Sequence, residues 1–206
     1  MRIYVVRHGE TNANREGYLQ GWSNEPLNDS GRRLAEITGQ AMKGIRFDCC
    51  IASPLIRAKE TAEIILRETG NDLQIELDDR IKEINFGILE RSSIHNEKVT
   101  RFLKQPLMDY KYPEGESLSE VMDRTQEFLK DLINRDDGKT YLVSTHGCAL
   151  RAMLNYLYDD PTDFWHGHVP YNCCVNIIES ENGTTRLIAD DKIYYDQELV
   201  IDRYRQ

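Results

Sequence analysis

The first residues of the chain join a short apolar run to a histidine that directly precedes a glycine. Residues 3–6 are β-branched and aromatic, as in a strand buried within a parallel sheet. Gly9 permits the sharp backbone turn with which such a strand ends. His8 would then lie at the carboxyl end of the strand. Open α/β sheets bind ligands at that edge, and the N-terminus of a following helix favours an anion.

The same pattern recurs far along the chain. Residues 141–145 have the composition of a second buried strand, His146 and Gly147 follow as its turn, and residues 148–158 have the apolar spacing of a helix. A single histidine beside a glycine is usually a structural turn residue. Two such turns in matching positions, with Arg7 before the first, make a purely structural role much less expected.

The apolar patterns alternate between strand and helix periods along the chain. Amphipathic helices are predicted to start near residues 29, 53, 117 and 148, and a turn at Asn182-Gly183 predicts an antiparallel hairpin. This order predicts an α/β fold, a three-layer α/β/α sandwich whose central sheet is mostly parallel with an antiparallel hairpin at its edge. The predicted strands are residues 3–6, 47–52, 73–77, 141–145, 172–178 and 184–189.

Ser53-Pro54 follows the second predicted strand and is typical of a helix start, with serine as N-cap and proline in the first helical position. Arg57 then falls near the N-terminus of that helix, where the helix dipole disfavours a cation. An arginine placed there either faces solvent, which is the more common case, or holds an anion. The residue pattern leaves both interpretations open.

Residues 12–28 form a polar segment with little helical or strand periodicity. We predict a long loop. Loops of this length in compact domains usually serve a site, so this one is expected to wall the pocket beside His8. Asn14 and Gln20 are its candidate hydrogen-bonding side chains.

Taken together, these motifs resemble those of the histidine phosphatase superfamily, the phosphoglycerate-mutase-like proteins of branch 1. The resemblance rests on Arg7-His8-Gly9-Glu10-Thr11 with Asn14 and Gln20-Gly21, on residues 53–62, and on Glu83-Ile-Asn-Phe-Gly87. It covers roughly residues 7–147. Two departures stand out: Tyr18 occupies a position where many relatives have arginine, and Ile88-Leu89-Glu90-Arg91 replaces their Trp-Glu-Gly.

The resemblance implies that His8 is the phosphorylated nucleophile and that Glu83 acts as general acid and then general base. Nothing in the spacing alone separates Glu83 from its charged neighbours. Arg7, Arg57 and His146 would complete the catalytic set. Phosphate contacts are implied for Arg7, Asn14, Gln20, Gly21, Arg57, His146 and Gly147.

One histidine phosphatase domain is expected over residues 1–206, with a helical cap insertion around residues 88–116. The aromatic and aliphatic residues of that insertion fit a cap that recognises the rest of a substrate. A plain surface excursion fits the same pattern equally well.

Composition narrows the possible partners. The net charge of −9 and the lack of a basic cluster argue against nucleic-acid binding. No apolar run reaches the about 18 residues of a membrane span, and no signal-peptide pattern precedes the first strand, so a cytoplasmic location is expected. The five cysteines are expected to be buried, reduced thiols. A zinc site built from His166, His168, Cys173 and Cys174 fits no standard spacing.

The sequence thus predicts a phosphatase that needs no metal or cofactor and hydrolyses a small phosphorylated metabolite through a phosphohistidine. A phosphoglycerate mutase with the same pocket is the alternative. A further alternative is a regulatory module that binds phosphate without turnover. The oligomeric state is left open.

Overall fold

The computed structural model describes residues 1–199 and has a six-stranded sheet at its centre. Within that part of the chain the strand order is β3-β2-β4-β1-β5-β6. Strands β1 to β4 pair in parallel, whereas β5 pairs antiparallel with both β1 and β6. The predicted mostly parallel sheet with an antiparallel edge hairpin is therefore confirmed. The strands are β1 (Arg2–Arg7), β2 (Cys49–Ala52), β3 (Ile75–Leu77), β4 (Thr140–Thr145), β5 (Val175–Glu181) and β6 (Thr184–Lys192).

Helices cover both faces of this sheet. Alternate residues of β1 point to opposite faces: Ile3 and Val5 pack with the core under α5 and α6, and Tyr4 and Val6 with the core under α2 and α3. These two apolar cores make the three layers of the predicted sandwich. The helices are α1 (Asn12–Glu16), α2 (Asp29–Ala41), α3 (Ile56–Thr69), α4 (Glu97–Lys104), α5 (Leu118–Ile133) and α6 (Gly147–Leu154).

The predicted start of α3 is wrong. Leu55 is the N-cap residue, and the helix begins at Ile56 rather than at Pro54. The Ser53 hydroxyl lies 2.7 Å from Nε2 of His146, so this side chain serves a distant part of the chain as well as the turn that leads into α3. The other end of the helix is as predicted, with Gly70 in the left-handed conformation as C-cap.

Other predicted boundaries shift by a few residues. The segment 12–28 contains the short helix α1, which is held by a capping box between Thr11 and Asn14. Cys173 and Cys174 precede β5 instead of belonging to it, and α6 ends at Leu154 before a single 3₁₀ turn. The capping box of Ser117 and Glu120 at the start of α5 is present as predicted.

Residues 88–116 contain α4 and its flanking loops. Val99 and Phe102 of α4 pack into an apolar cluster that also holds Val121 of α5 and Cys148 of α6. The segment therefore lies against the ends of α5 and α6, close to the turn after β4. Its function as a substrate-recognising cap stays a prediction.

All five cysteines are free thiols, and four of them are buried. No helix within residues 1–199 is both long enough and apolar enough to cross a bilayer. The expected cytoplasmic location is not tested by this observation.

The start of α2 lies directly against the turn that carries His8, and glycine makes this contact possible. A Cβ atom on Gly31 would lie 2.0 Å from the carbonyl oxygen of Glu10. We expect Gly31→Ala to lower the free energy of unfolding by about 1–3 kcal/mol, because backbone must move to admit the methyl group. Urea denaturation measures the decrease in the free energy of unfolding. Changes in the amide NMR shifts of Gly9 and Glu10 show whether the backbone moves at this contact.

Gly138→Ala is the matched control. No atom lies within 4 Å of its added Cβ, and the cost there comes only from the positive φ of 69°. It should lower stability without moving the amide signals of Gly9 and Glu10. If Gly31→Ala changes neither the amide signals of Gly9 and Glu10 nor the free energy of unfolding, the close contact between Gly31 and Glu10 is incorrect.

Candidate active site

His8 follows β1 directly and is almost completely buried. Its Nδ1 lies 2.7 Å from the carbonyl oxygen of Gly9. A carbonyl oxygen can only accept, so Nδ1 carries the ring proton and Nε2 keeps its lone pair. That lone pair accepts a hydrogen bond from Nε of Arg57 at 3.3 Å.

The surroundings of His8 keep its ring neutral. Burial has the largest effect and, with the positive charges of Arg57 and Arg7, holds the pKa of His8 well below its usual value. The hydrogen bond to Gly9 opposes this shift but is weaker. His8 therefore presents an unprotonated Nε2 at neutral pH.

Arg57 is completely buried, which excludes the solvent-facing interpretation. Its two terminal nitrogens donate to the carbonyl oxygens of Ser23 and Gly21, both at 2.7 Å. Burial lowers the pKa of Arg57 to about 10, so the guanidinium still carries its charge at neutral pH. The loop that precedes α2 thus holds a buried cation against the nucleophilic edge of His8.

The carboxylate of Glu90 fixes this loop, and sequence reasoning missed it. It accepts hydrogen bonds from the backbone N–H groups of Gly21, Trp22 and Ser23 at 3.0, 2.9 and 3.2 Å. A fourth bond comes from the N–H of Phe86 at 3.1 Å. The loop whose carbonyl groups hold Arg57 is therefore itself held by one side chain.

A signal for Glu90 was present in the sequence. Leu89-Glu90-Arg91 occupies the place of the Trp-Glu-Gly that many relatives have, and only the glutamate is retained. Arg91 adopts a φ of 63°, the left-handed conformation that glycine enters without strain. The chain thus departs from the motif at Leu89 and Arg91, whereas the glutamate whose carboxylate holds the loop is present as Glu90.

His146 lies beside His8, with 5.2 Å between the ring centroids. Its Nε2 is 2.7 Å from the Ser53 hydroxyl, which also accepts from the N–H of Leu55. With the hydroxyl as donor to Nε2, the proton of the neutral ring lies on Nδ1, where a bound anion can accept a hydrogen bond from it. Burial and then the charge of Arg57 hold the pKa of His146 well below its usual value.

Three buried nitrogen atoms around His8 have no hydrogen-bond partner within the described chain. They are Nε of Arg7, Nε2 of Gln20 and Nδ1 of His146. The remaining groups of these side chains are used: Arg7 donates to the Pro170 carbonyl, and the Gln20 amide oxygen accepts from Thr11 at 2.9 Å. Unpaired buried donors are costly, so their grouping marks a place for an acceptor-rich anion.

The other predicted phosphate contacts divide into two groups. Asn14, Gln20 and Gly147 line the same cavity as Arg7 and His8. The N–H of Gly21 instead donates to the carboxylate of Glu90, and its carbonyl oxygen accepts from Arg57. Both polar groups of its backbone are thus bonded within the protein. Tyr18 is 37% exposed and is not among the residues that line the cavity.

Glu83 reaches the cavity from the segment after β3 and is buried. Its Oε1 accepts from the N–H groups of Ile84 and Ala149 at 3.0 Å, and its Oε2 accepts from that of Cys148 at 3.1 Å. Burial raises the pKa of Glu83, although these bonds and Arg57 act in the opposite direction. A carboxylate has about four lone-pair positions, so one on Oε2 is left to carry a proton.

Arg124 of α5 positions the backbone that carries Glu83, and no sequence signal distinguished it from other polar residues of that helix. Its guanidinium donates to the carbonyl oxygens of Arg80, Lys82 and Glu83 at 2.7, 2.7 and 2.9 Å. Its charge is balanced by Glu116 at 2.9 Å.

The residues of the disfavoured zinc site have other contacts. His166 stacks on Tyr158, and His168 pairs with Asp191 at 2.9 Å. Within the described residues no group of three or more His, Cys, Asp and Glu side chains is arranged to hold a metal ion.

We expect Glu90→Gln to weaken the binding of inorganic phosphate about tenfold, because a side-chain amide can accept only part of the four N–H bonds that the carboxylate accepts. Calorimetric titration measures the affinity. Glu25→Gln is the control, since it also removes a carboxylate charge that acts on Arg57, whereas Glu25 pairs with the exposed side chain of Arg91 and holds no N–H group of the loop within residues 1–199. Equal phosphate affinities for the two variants would refute the anchoring role of Glu90.

Comparison with known proteins agrees with this geometry. A family model described as "Histidine phosphatase superfamily (branch 1)" matches residues 3–190. A Cronobacter sakazakii protein named probable phosphoglycerate mutase GpmB is 35% identical over 166 residues, which cover 78% of this chain and 76% of that protein.

Solved structures are similar over almost the whole chain. Bacillus stearothermophilus YhfR is 31% identical with a TM-score of 0.84, covering 93% of this chain and 97% of that one. A phosphoserine phosphatase variant from Entamoeba histolytica, in complex with phosphoserine, is 26% identical with a TM-score of 0.75, covering 91% and 95%. With the extent of the family match, these likenesses establish that the chain belongs to the histidine phosphatase superfamily, branch 1.

Proposed function

We propose that the protein is a phosphatase that hydrolyses a small phosphomonoester through a phosphohistidine at His8, without a metal ion or cofactor. The observation that carries the proposal is the buried, neutral ring of His8, whose Nε2 lone pair faces the charged Nε–H of Arg57. A nucleophile for phosphorus needs such an unprotonated nitrogen.

In the first step the hydrogen bond of the Arg57 Nε–H passes from Nε2 of His8 to a phosphoryl oxygen, the freed lone pair of Nε2 attacks phosphorus, and the bond to the leaving oxygen breaks. Negative charge on the phosphoryl oxygens is stabilised by Arg57 and Arg7, with further donors from Gln20 and His146. Glu83 gives its proton to the departing oxygen, so that a neutral alcohol leaves. Burial, which raises the pKa of Glu83, favours the protonated form that this step requires.

In the second step water attacks the phosphorus of phosphohistidine. The Glu83 carboxylate takes a proton from this water, and the bond between phosphorus and Nε2 breaks. Inorganic phosphate leaves, and the lone pair returns to Nε2. Both steps use the free position on Oε2 of Glu83, whose carboxylate the N-terminus of α6 and the backbone of Ile84 keep in place.

A phosphoglycerate mutase is the alternative, and the name of the Cronobacter relative favours it. A mutase must bind the carboxylate of an acceptor molecule close to the phosphohistidine. Arg80 and Lys82, the cations nearest to Glu83 in sequence, are paired elsewhere: Arg80 with Asp78 and Asp131, and Lys82 with Asp79. This placement supports water as the acceptor.

A module that binds phosphate without turnover is less well supported. A purely binding role has no need for a neutral nucleophilic nitrogen beside a buried carboxylic acid. His8 and Glu83 line one cavity together, and the pKa of each is shifted in the direction that catalysis requires.

Rapid quenching in alkali with a radiolabelled aryl phosphate should trap label on His8. The bond should survive base and break in acid, as expected for a phosphorus–nitrogen bond. His8→Ala should lose both label and turnover, whereas the control His95→Ala should keep both, since His95 lies on the exposed surface. Label on Ser, Asp or Cys, or an active His8→Ala protein, would contradict the proposal.

Hydrolase and mutase are distinguished by the fate of the phosphoryl group. The protein is incubated with 3-phosphoglycerate and a bisphosphoglycerate primer, and with an aryl phosphate in parallel, while 2-phosphoglycerate and free phosphate are followed. We expect free phosphate as the main product. Efficient isomerisation with negligible phosphate release would establish the mutase instead.

A further inference from the structure

The cavity at His8 is lined by two chemically different sets of side chains. The first set is polar or charged and includes the groups around His8 described above. The second set, the apolar wall, comes from the loop after α1, the segment after Glu83, α4 and the stretch before β5. The apolar wall includes Leu19, Phe86, Phe102, Leu103, Trp165 and Val169.

Charged side chains are few around this cavity. Within residues 1–199 its surface includes one arginine or lysine, Arg7, and one acidic residue, Glu83, and the buried Arg57 lies directly behind His8. The three cations of α4 do not line this cavity: Lys98 and Arg101 line a second groove with Tyr110 and Tyr112, and Lys104 is exposed. A carboxylate on the organic part of a substrate would therefore lose water without gaining a cation.

The apolar wall is built as a fixed aromatic cluster. Phe102 makes edge-to-face contacts with Phe86, Trp165 and Tyr112, with ring centroids 5.2, 5.5 and 6.0 Å apart. The indole N–H of Trp165 donates to the Phe102 carbonyl at 3.4 Å, so it is not directed to a ligand. Burial raises the pKa of the Cys148 thiol well above its usual value, which leaves this part of the lining uncharged.

We infer that the organic part of the substrate is apolar and uncharged, an aryl, arylalkyl or alkyl group, rather than one that bears a carboxylate. This inference rests on the proposed function, because it concerns the group from which the phosphoryl group is transferred. The protein binds the phosphate by charge and selects its ester by burial of apolar surface. A purely structural role of the aromatic cluster predicts no such selection.

Benzyl phosphate and 4-carboxybenzyl phosphate form a matched pair, since both release a primary alcohol and differ only in the remote carboxylate. We expect kcat/KM to be about 100-fold higher for benzyl phosphate, because the buried carboxylate finds no partner. Hydrolysis of both esters at equal rates, or preference for the charged one, would overturn the inference and leave the proposed phosphatase activity intact.

A lysine introduced into the apolar wall tests the same inference by changing the protein instead of the substrate. Leu103→Lys should reduce the preference for benzyl phosphate at least about tenfold by supplying a partner for the carboxylate. Leu107→Lys is the control, because Leu107 lines only the second groove and is 44% exposed. It should leave the ratio unchanged. An equal change in the preference for benzyl phosphate in both variants would contradict the assignment of Leu103 to the apolar wall.

Binding to the His8→Ala protein separates the inference from the proposed catalysis. Calorimetry with the two esters needs no turnover, and benzyl phosphate should bind at least about tenfold more tightly. If this preference holds but the unaltered protein hydrolyses neither ester, the proposed function fails and the apolar selectivity stands. Equal affinities would overturn the selectivity whether or not hydrolysis occurs.

Discussion

The site depends on a single guanidinium that is charged, completely buried and without an ion-pair partner within 4 Å among the described residues. Arg57 is held by two loop carbonyls and by the lone pair of His8. A charge in this position is costly unless hydrogen bonds and nearby opposite charges offset it, and the closest carboxylates act only at longer range. Burial and, after it, the charge of Arg57 hold the pKa values of His8 and His146 below their usual values. An anion that enters would neutralise Arg57 and complete its hydrogen bonds.

Much of the surrounding structure fixes the position of the Arg57 guanidinium relative to His8. Glu90 ties the loop that grips Arg57 to the segment of Phe86, and the same segment contributes an aromatic ring to the apolar wall. Arg124 holds the backbone of Glu83, so that its carboxylate meets the N-terminus of α6. The groups around Arg57 and His8 and the apolar wall are therefore not independent, because residues 83–90 contribute to both.

Sequence reasoning succeeded where the signal is local. The strand that ends at His8 and its counterpart before His146 show their apolar runs directly, and the parallel sheet brings the two histidines together, as β1 and β4 are neighbours. The start of α3 was misassigned because Ser53-Pro54 imitates a cap, whereas the serine hydroxyl contacts His146, 93 positions away. Glu90 reaches backbone groups some 68 residues distant, and Arg124 lies on an ordinary amphipathic helix. Contacts between residues so far apart in the chain produce no periodic pattern in the sequence.

The tautomer and charge of the His8 ring are the central claim, and ¹⁵N NMR of protein labelled in its histidine rings tests them most directly. An unperturbed histidine changes its charge between about pH 5 and pH 8. At neutral pH the account predicts a neutral His8 ring with its proton on Nδ1 and an unprotonated Nε2, because burial and two arginines disfavour the imidazolium. An imidazolium at neutral pH, or a neutral ring with its proton on Nε2, would contradict it.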